Sequence, residues 1–134
     1  MDTAVLSIDT GRGRVVFDLT KEVASFVAGK GDGLLSVFVP HATAALALME
    51  TGSGSEADFL DVLDRLLPRD DRWRHRHGAV GHGADHLVPA LLSSGLTIPV
   101  VEGRMALGTW QSVVLIDTNV DNPRRSVRLS FVPG

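Results

Sequence analysis

The sequence predicts an α+β domain built as a two-sheet sandwich, and three observations carry that prediction. Short β-branched or alternating segments bounded by Gly and Pro recur along the chain, as strands of a half-buried sheet do. Only two or three stretches show helical spacing of apolar residues. The elements run ββ-α-ββ-α-α-βββ, without the strict strand–helix alternation of a doubly wound sheet, and about seven strands are enough for two packed sheets. With 134 residues, the chain reads as one domain spanning residues 1–134.

Val5 to Ile8 reads as the first strand, Gly11-Arg12-Gly13 as a turn and Val15 to Phe17 as its partner. Thr20 is expected to cap a helix with Val23, Phe26 and Val27 on one face and Gly29 as its stop. GKGDG (29–33) is a turn, and Leu34 to Val39 a buried strand ending at Pro40. His41 to Glu50 is ambiguous by composition; its bounds, Pro40 and Gly52, give it strand length. Ser55 with Asp58 resembles a capping box, and Phe59, Val62, Leu63, Leu66 and Leu67 continue a helix to Pro68.

From Arg69 to Gly83 the chain is polar, His- and Arg-rich and aperiodic, the signature of a functional or disordered loop. A helix is expected from near His86, since Pro89 fits only in a first turn, with Gly95 as its stop. Three strands follow: Thr97 to Val101, Thr109 to Ile116 and Ser126 to Val132.

The bulk numbers exclude several functions. A net charge of −3 lacks the basic footprint of a nucleic-acid binder. No apolar run approaches the roughly 20 residues of a membrane helix. The start, MDTAVLSIDT, lacks signal-peptide character, so the expected location is the cytoplasm. Zero cysteines exclude thiolate chemistry and zero tyrosines leave histidine, carboxylate and lysine for acid–base work.

Four of the five histidines lie between His75 and His86. Within GHGADH (81–86), His82, Asp85 and His86 could bind a metal or phosphate beside a helix start; spacing alone favours the plainer reading, in which Asp85 caps the helix and the histidines are solvated, because no HExxH pattern occurs. His41, at the mouth of a strand, is either a ligand or an edge histidine. Glu50 lies nine positions on, so in an unbroken strand it points to the opposite face about 30 Å away; unless the strand breaks or bulges, a second chain is the simplest way to bring the two into one site. In LGTWQS, alternation places Thr109 and Gln111 on one face, with Gly103-Arg104 delivering a guanidinium to the same end. The plainer alternative is a hairpin with Trp110 in the core and Gln111 solvated.

Together PHATAALALME, WRH, GADH and GRMALGTWQ resemble the YjbQ-like family, often labelled secondary thiamine-phosphate synthase. The blocks are carried by His41, Thr43 and Glu50; by His75; by His86 and Leu87; and by Gly103, Arg104, Leu107 and Gly108 through Thr109, Trp110 and Gln111. The chain departs from the pattern at Val88-Pro89, where the family has a Lys segment, and at His82, near a usual Asn; the added histidine tilts the site toward metal. The resemblance implies a homotrimer with sites between subunits and an enzyme, a thiamine-phosphate synthase-like transferase, acting on a small anionic, phosphorylated metabolite. On that basis His86, His41, Glu50 and Arg104 are the expected catalytic residues. Thr43, Thr109, Trp110 and Gln111 would bind substrate, and His41, His75, His82 and His86 a divalent metal such as Zn or Mg. The alternative is a non-catalytic homotrimer that binds metal or metabolite.

Overall fold

A computed structural model describes residues 1–134. Its strands are β1 (Asp2–Asp9), β2 (Val15–Asp18), β3 (Gly33–Phe38), β4 (Ala44–Met49), β5 (Gly95–Val101), β6 (Arg104–Met105), β7 (Ser112–Asp117) and β8 (Arg124–Pro133). The helices are α1 (Thr20–Val27), α2 (Ser55–Leu66), α3 (His82–Asp85) and α4 (Val88–Leu91). Five strands form one sheet in the order β1-β8-β3-β5-β6, and three form the other, β2-β7-β4. All pairings are antiparallel. The fold class and element order are those the sequence predicts, with β6 added and the last helical stretch split into two single turns. No helix is long and apolar enough to cross a membrane.

The unbroken apolar run of β7 follows from its position. Val113 and Leu115 face the core between the two sheets, with Leu35, Val37, Leu46, Val127 and Leu129. Val114 and Ile116 face a second core, under Leu63 of α2, Ala84 of α3 and Val88 of α4. A strand buried on both faces loses its polar alternation. The small sheet is thus the middle layer, and the helices on its outer side carry the histidine-rich segment.

Several local expectations are corrected. Thr20 is not the cap of α1; it is the first helical residue after Leu19, and its Oγ1 accepts the Val113 N–H at 2.9 Å, tying α1 to β7. Ser55 likewise lies inside α2, whose cap is Gly54 in the left-handed region, so no Ser55–Asp58 capping box forms; the Glu56 carboxylate accepts the Gly52 N–H at 3.1 and 3.2 Å. β4 is shorter than 41–50, because His41 to Thr43 form the turn that enters it. Helix begins at His82, earlier than His86; Pro89 still sits in the first turn of α4. Gly95 opens β5 rather than ending a helix.

The strand expected from Thr109 starts only at Ser112. Gln111 folds back on its own turn: its Oε1 accepts the Gly108 N–H at 2.8 Å and its N–H donates to the Gly108 carbonyl at 3.1 Å. A side chain that satisfies the backbone locally competes with the sheet ladder. Thr109, Trp110 and Gln111 are therefore an exposed turn, and Trp110, 74% exposed, packs in no core.

Candidate metal centre

The segment between α2 and α4 folds four imidazoles together. One ring nitrogen from each of His75, His77, His82 and His86 lies within 4.8 Å of the others. His82 and His86 stand four apart across the single turn of α3, and their Nε2 atoms are 3.0 Å apart. His75 and His77 come from the aperiodic loop, their rings 4.0 Å apart at the centroids, with His75 4.3 Å from His86. His77 was not among the expected ligands; its signal in the sequence is the alternate placing in His75-Arg76-His77.

One contact holds the loop to α3 and another ties it to the end of α2. Gly83 lies so close under the loop that a Cβ there would meet the His75 carbonyl oxygen at 2.6 Å and Trp73 Cβ at 2.8 Å. The Trp73 indole N–H donates to the Pro68 carbonyl at 2.8 Å, anchoring the other end. Gly83→Ala is therefore expected to push the Trp73–His75 segment off α3. It should cost about 1–3 kcal/mol of stability as an overpacked contact and weaken any ligand of the cluster; thermal melts and metal titrations of the variant check both.

Behind the rings lies a buried polar network. Asp85, 1% exposed, pairs with Arg69 and accepts from Thr118 Oγ1 at 2.7 Å and Asn119 Nδ2 at 3.0 Å. Its carboxylate is therefore committed to the scaffold and does not join the imidazoles. His82 Nδ1 lies 2.9 Å from Asn119 Nδ2 and 2.8 Å from Asp121 Oδ2. A cavity of about 140 Å³ opens beside His75 and His82, lined also by Arg76 and Asp70.

Desolvation is the first cause holding the His86 and His75 imidazoles below their ordinary 6.5, followed by repulsion from the neighbouring rings. The neutral form, the one that ligates a metal, is thus favoured. His41 is also held down, first by burial and then by the Arg125 guanidinium. Since these groups bind protons more weakly folded than unfolded, stability is at its full value above pH 6.5 and falls as pH drops from there toward their folded pKa values. Denaturant midpoints of the metal-free protein should decrease between pH 7.5 and pH 5.5; an increase would contradict the assignment.

The other expected site residues are dispersed. His41 sits outside the cluster, its Nε2 accepting the Ser126 N–H at 2.9 Å. Thr43 is buried, its Oγ1 accepting from Arg125 Nη2 at 2.9 Å. Arg125 in turn grips Asp117 through two bonds, at 2.7 and 2.9 Å, and Thr10 donates to the same carboxylate at 2.6 Å. Glu50 is exposed just past the far end of β4, where Met49 pairs with Ser112 and Ala44 with Asp117. His41 and the Asp117 network are therefore at one end of the small sheet, and Glu50 with Thr109, Trp110 and Gln111 at the other. Arg104 on β6 is 83% exposed and 3.7 Å from Glu102.

Fold and site together define an α+β sandwich carrying a cluster of four imidazoles on its helical layer, close enough together to be able to hold a metal ion. The chain belongs to the UPF0047 YjbQ-like family, whose model matches residues 4–134. It is 62% identical over 134 residues to a UPF0047 protein of Mycobacterium tuberculosis, covering 100% of each chain. Its fold is similar to the crystal structure of a hypothetical protein from Aeropyrum pernix (33% identity, TM-score 0.88, 100% of both chains). A YjbQ/UPF0047 family protein of Clostridium acetobutylicum is also similar (26% identity, TM-score 0.85, 96% of this chain and 99% of that one).

Proposed function

We propose that this protein holds a zinc-class divalent ion on His75, His77, His82 and His86 and uses it to bind a small anionic, phosphorylated metabolite. The observation that carries the reading is the convergence of four imidazole nitrogens within 4.8 Å. Imidazole donors suit Zn, Cu or Ni, whereas Mg demands an octahedron of oxygens, so of the two metals expected from sequence the donor set favours zinc. Four neutral ligands leave the charge of the ion uncompensated, which favours an anion next to it. In the secondary thiamine-phosphate synthase reading, a pyrimidine pyrophosphate loses pyrophosphate as a thiazole phosphate attacks, and the site stabilises the departing anion. His41 and Arg104 remain outside the cluster in a single chain, so their part in such a transfer requires a neighbour.

That requirement supports self-association, for which we propose the homotrimer that the family resemblance implies. Glu50 and the Thr109–Gln111 turn at the far end of the small sheet, and Arg104 on the edge strand of the five-stranded sheet, reach the histidine end only when a second chain brings them there. Light scattering should report roughly three times the 14.3 kDa chain mass. Mixing His86→Ala with Glu50→Ala chains should restore some activity if sites are shared, and none if each chain carries its own.

A second reading, a binding site without turnover, is favoured by the four-ligand set, since catalytic zinc keeps an open position. Growth of a thiamine auxotroph separates the two: rescue by the wild type but not by His86→Ala supports transfer, and equal failure of both supports binding alone. Purified protein that contains and takes up no zinc would overturn both.

A further inference from the structure

We propose that Asp121 is the positioning residue for His82: its carboxylate holds the imidazole as the Nδ1–H tautomer and so leaves the Nε2 lone pair facing His86. The inference rests on the zinc reading and adds to it a residue outside the four ligands.

His82 presents its two ring nitrogens to different partners. Nε2 faces His86 Nε2 at 3.0 Å, and Nδ1 faces Asn119 and Asp121. Only Nε2 points into the cluster, so a metal-bound His82 must carry its hydrogen on Nδ1. The two groups at Nδ1 select opposite tautomers. Asn119 is a donor there, and its orientation is fixed: its Oδ1 accepts the backbone N–H groups of Asp121 and Asn122, both at 2.9 Å, so Nδ2 must point toward Asp85 and His82. A donor needs a bare Nδ1, which places the hydrogen on Nε2 and closes that atom to metal. Asp121 Oδ2, in ion-pair contact with Nδ1 at 2.8 Å, is the acceptor within reach of the ligating tautomer, whose N–H has to turn toward it.

The carboxylate is built into its place. Oδ2 also accepts the Ala79 N–H at 3.2 Å. Gly78 leaves the space for this contact: a Cβ there would lie 2.8 Å from Asp121 Oδ2 and 3.0 Å from His82 Cγ. A carboxylate behind a ligating histidine fixes ring orientation and raises ligand basicity, and losing one costs about 10–100-fold in metal affinity. Asp121 and Asn119 thus make His82 a two-state element, with one tautomer closed to metal and the other open.

The test is zinc affinity by chelator competition for wild type, Asp121→Asn and Asp121→Glu, with imidazole ¹⁵N spectra of the zinc-loaded wild type. Asp121→Asn keeps an acceptor for Ala79 N–H while losing the charge. It should weaken zinc binding about tenfold, with an unchanged melting temperature of the metal-free protein, and Asp121→Glu should restore most of the loss. The spectra should show His82 protonated at Nδ1 and ligating through Nε2. Equal affinity of Asp121→Asn and wild type, or His82 found ligating through Nδ1, overturns the role of Asp121 and leaves the zinc reading intact. A wild type that binds no zinc overturns both.

Discussion

On the proposed zinc site, His86→Ala is expected to lower zinc affinity by about two to three orders of magnitude, and the same loss is expected for His82→Ala. Zinc held by a full set of protein ligands contributes about 10–16 kcal/mol; divided over four imidazoles that is roughly 2.5–4 kcal/mol each, or about 10²–10³-fold. His86 and His82 should show the whole effect because α3 and its buried partners fix them, so no other group can take their place. His75 and His77, on the exposed loop, should show a smaller loss where the loop moves aside and a water takes the vacated position. His41→Ala should leave zinc affinity unchanged, because its Nε2 is committed to the Ser126 N–H. Chelator competition on the five variants decides the matter. If His41→Ala falls with the rest while His77→Ala does not, the cluster is not the metal site and the expectation drawn from sequence was nearer.

How much of this was legible follows from what each signal depends on. The β7 run and the amphipathic α2 are set by periodicity, which the chain carries locally, and both emerged with their type correct. The Thr109–Gln111 turn misled because its residues suit a strand, and the competing bond from the Gln111 side chain to Gly108 N–H has no periodic signature. The family blocks pointed to His75 and His86 but not to His77, whose place depends on how the loop lies over Gly83. Separation of His41 from Glu50 was legible from alternation and length alone, and their placing at opposite ends of the small sheet agrees with it. Arg125 and Asp117 were missed although the signal was present. Arg125 has the same parity as the inward-facing Val127, Leu129 and Phe131, and Asp117 the same as Val113 and Leu115. An ionic side chain on the core parity of a strand calls for a buried partner.

That pair gives the second large effect. Arg125→Ala is expected to destabilise the fold by about 3–5 kcal/mol, since it leaves Asp117 as a buried carboxylate without its cation. Arg125 and Asp117 are 2% and 0% exposed, so water cannot replace the lost partner. Thr10 and the Asn119 N–H would still donate to Asp117, but hydrogen bonds alone do not cancel a desolvated charge. For a chain of this size the melting temperature should fall by roughly 10–20 °C. The double variant Arg125→Met with Asp117→Leu should recover much of the loss, because replacing both ions with apolar side chains of similar volume removes the unpaired charge. Its zinc affinity should nevertheless stay below wild type: Asp117 Oδ1 fixes the Asn119 backbone at 3.0 Å, and Asn119 orients the segment that carries Asp121 to His82. Chemical denaturation and zinc titration of the single and double variants read the two effects separately. A shift below about 1 kcal/mol for Arg125→Ala, the size of an exposed pair, would show that the ion pair is not what holds this end of the two sheets together.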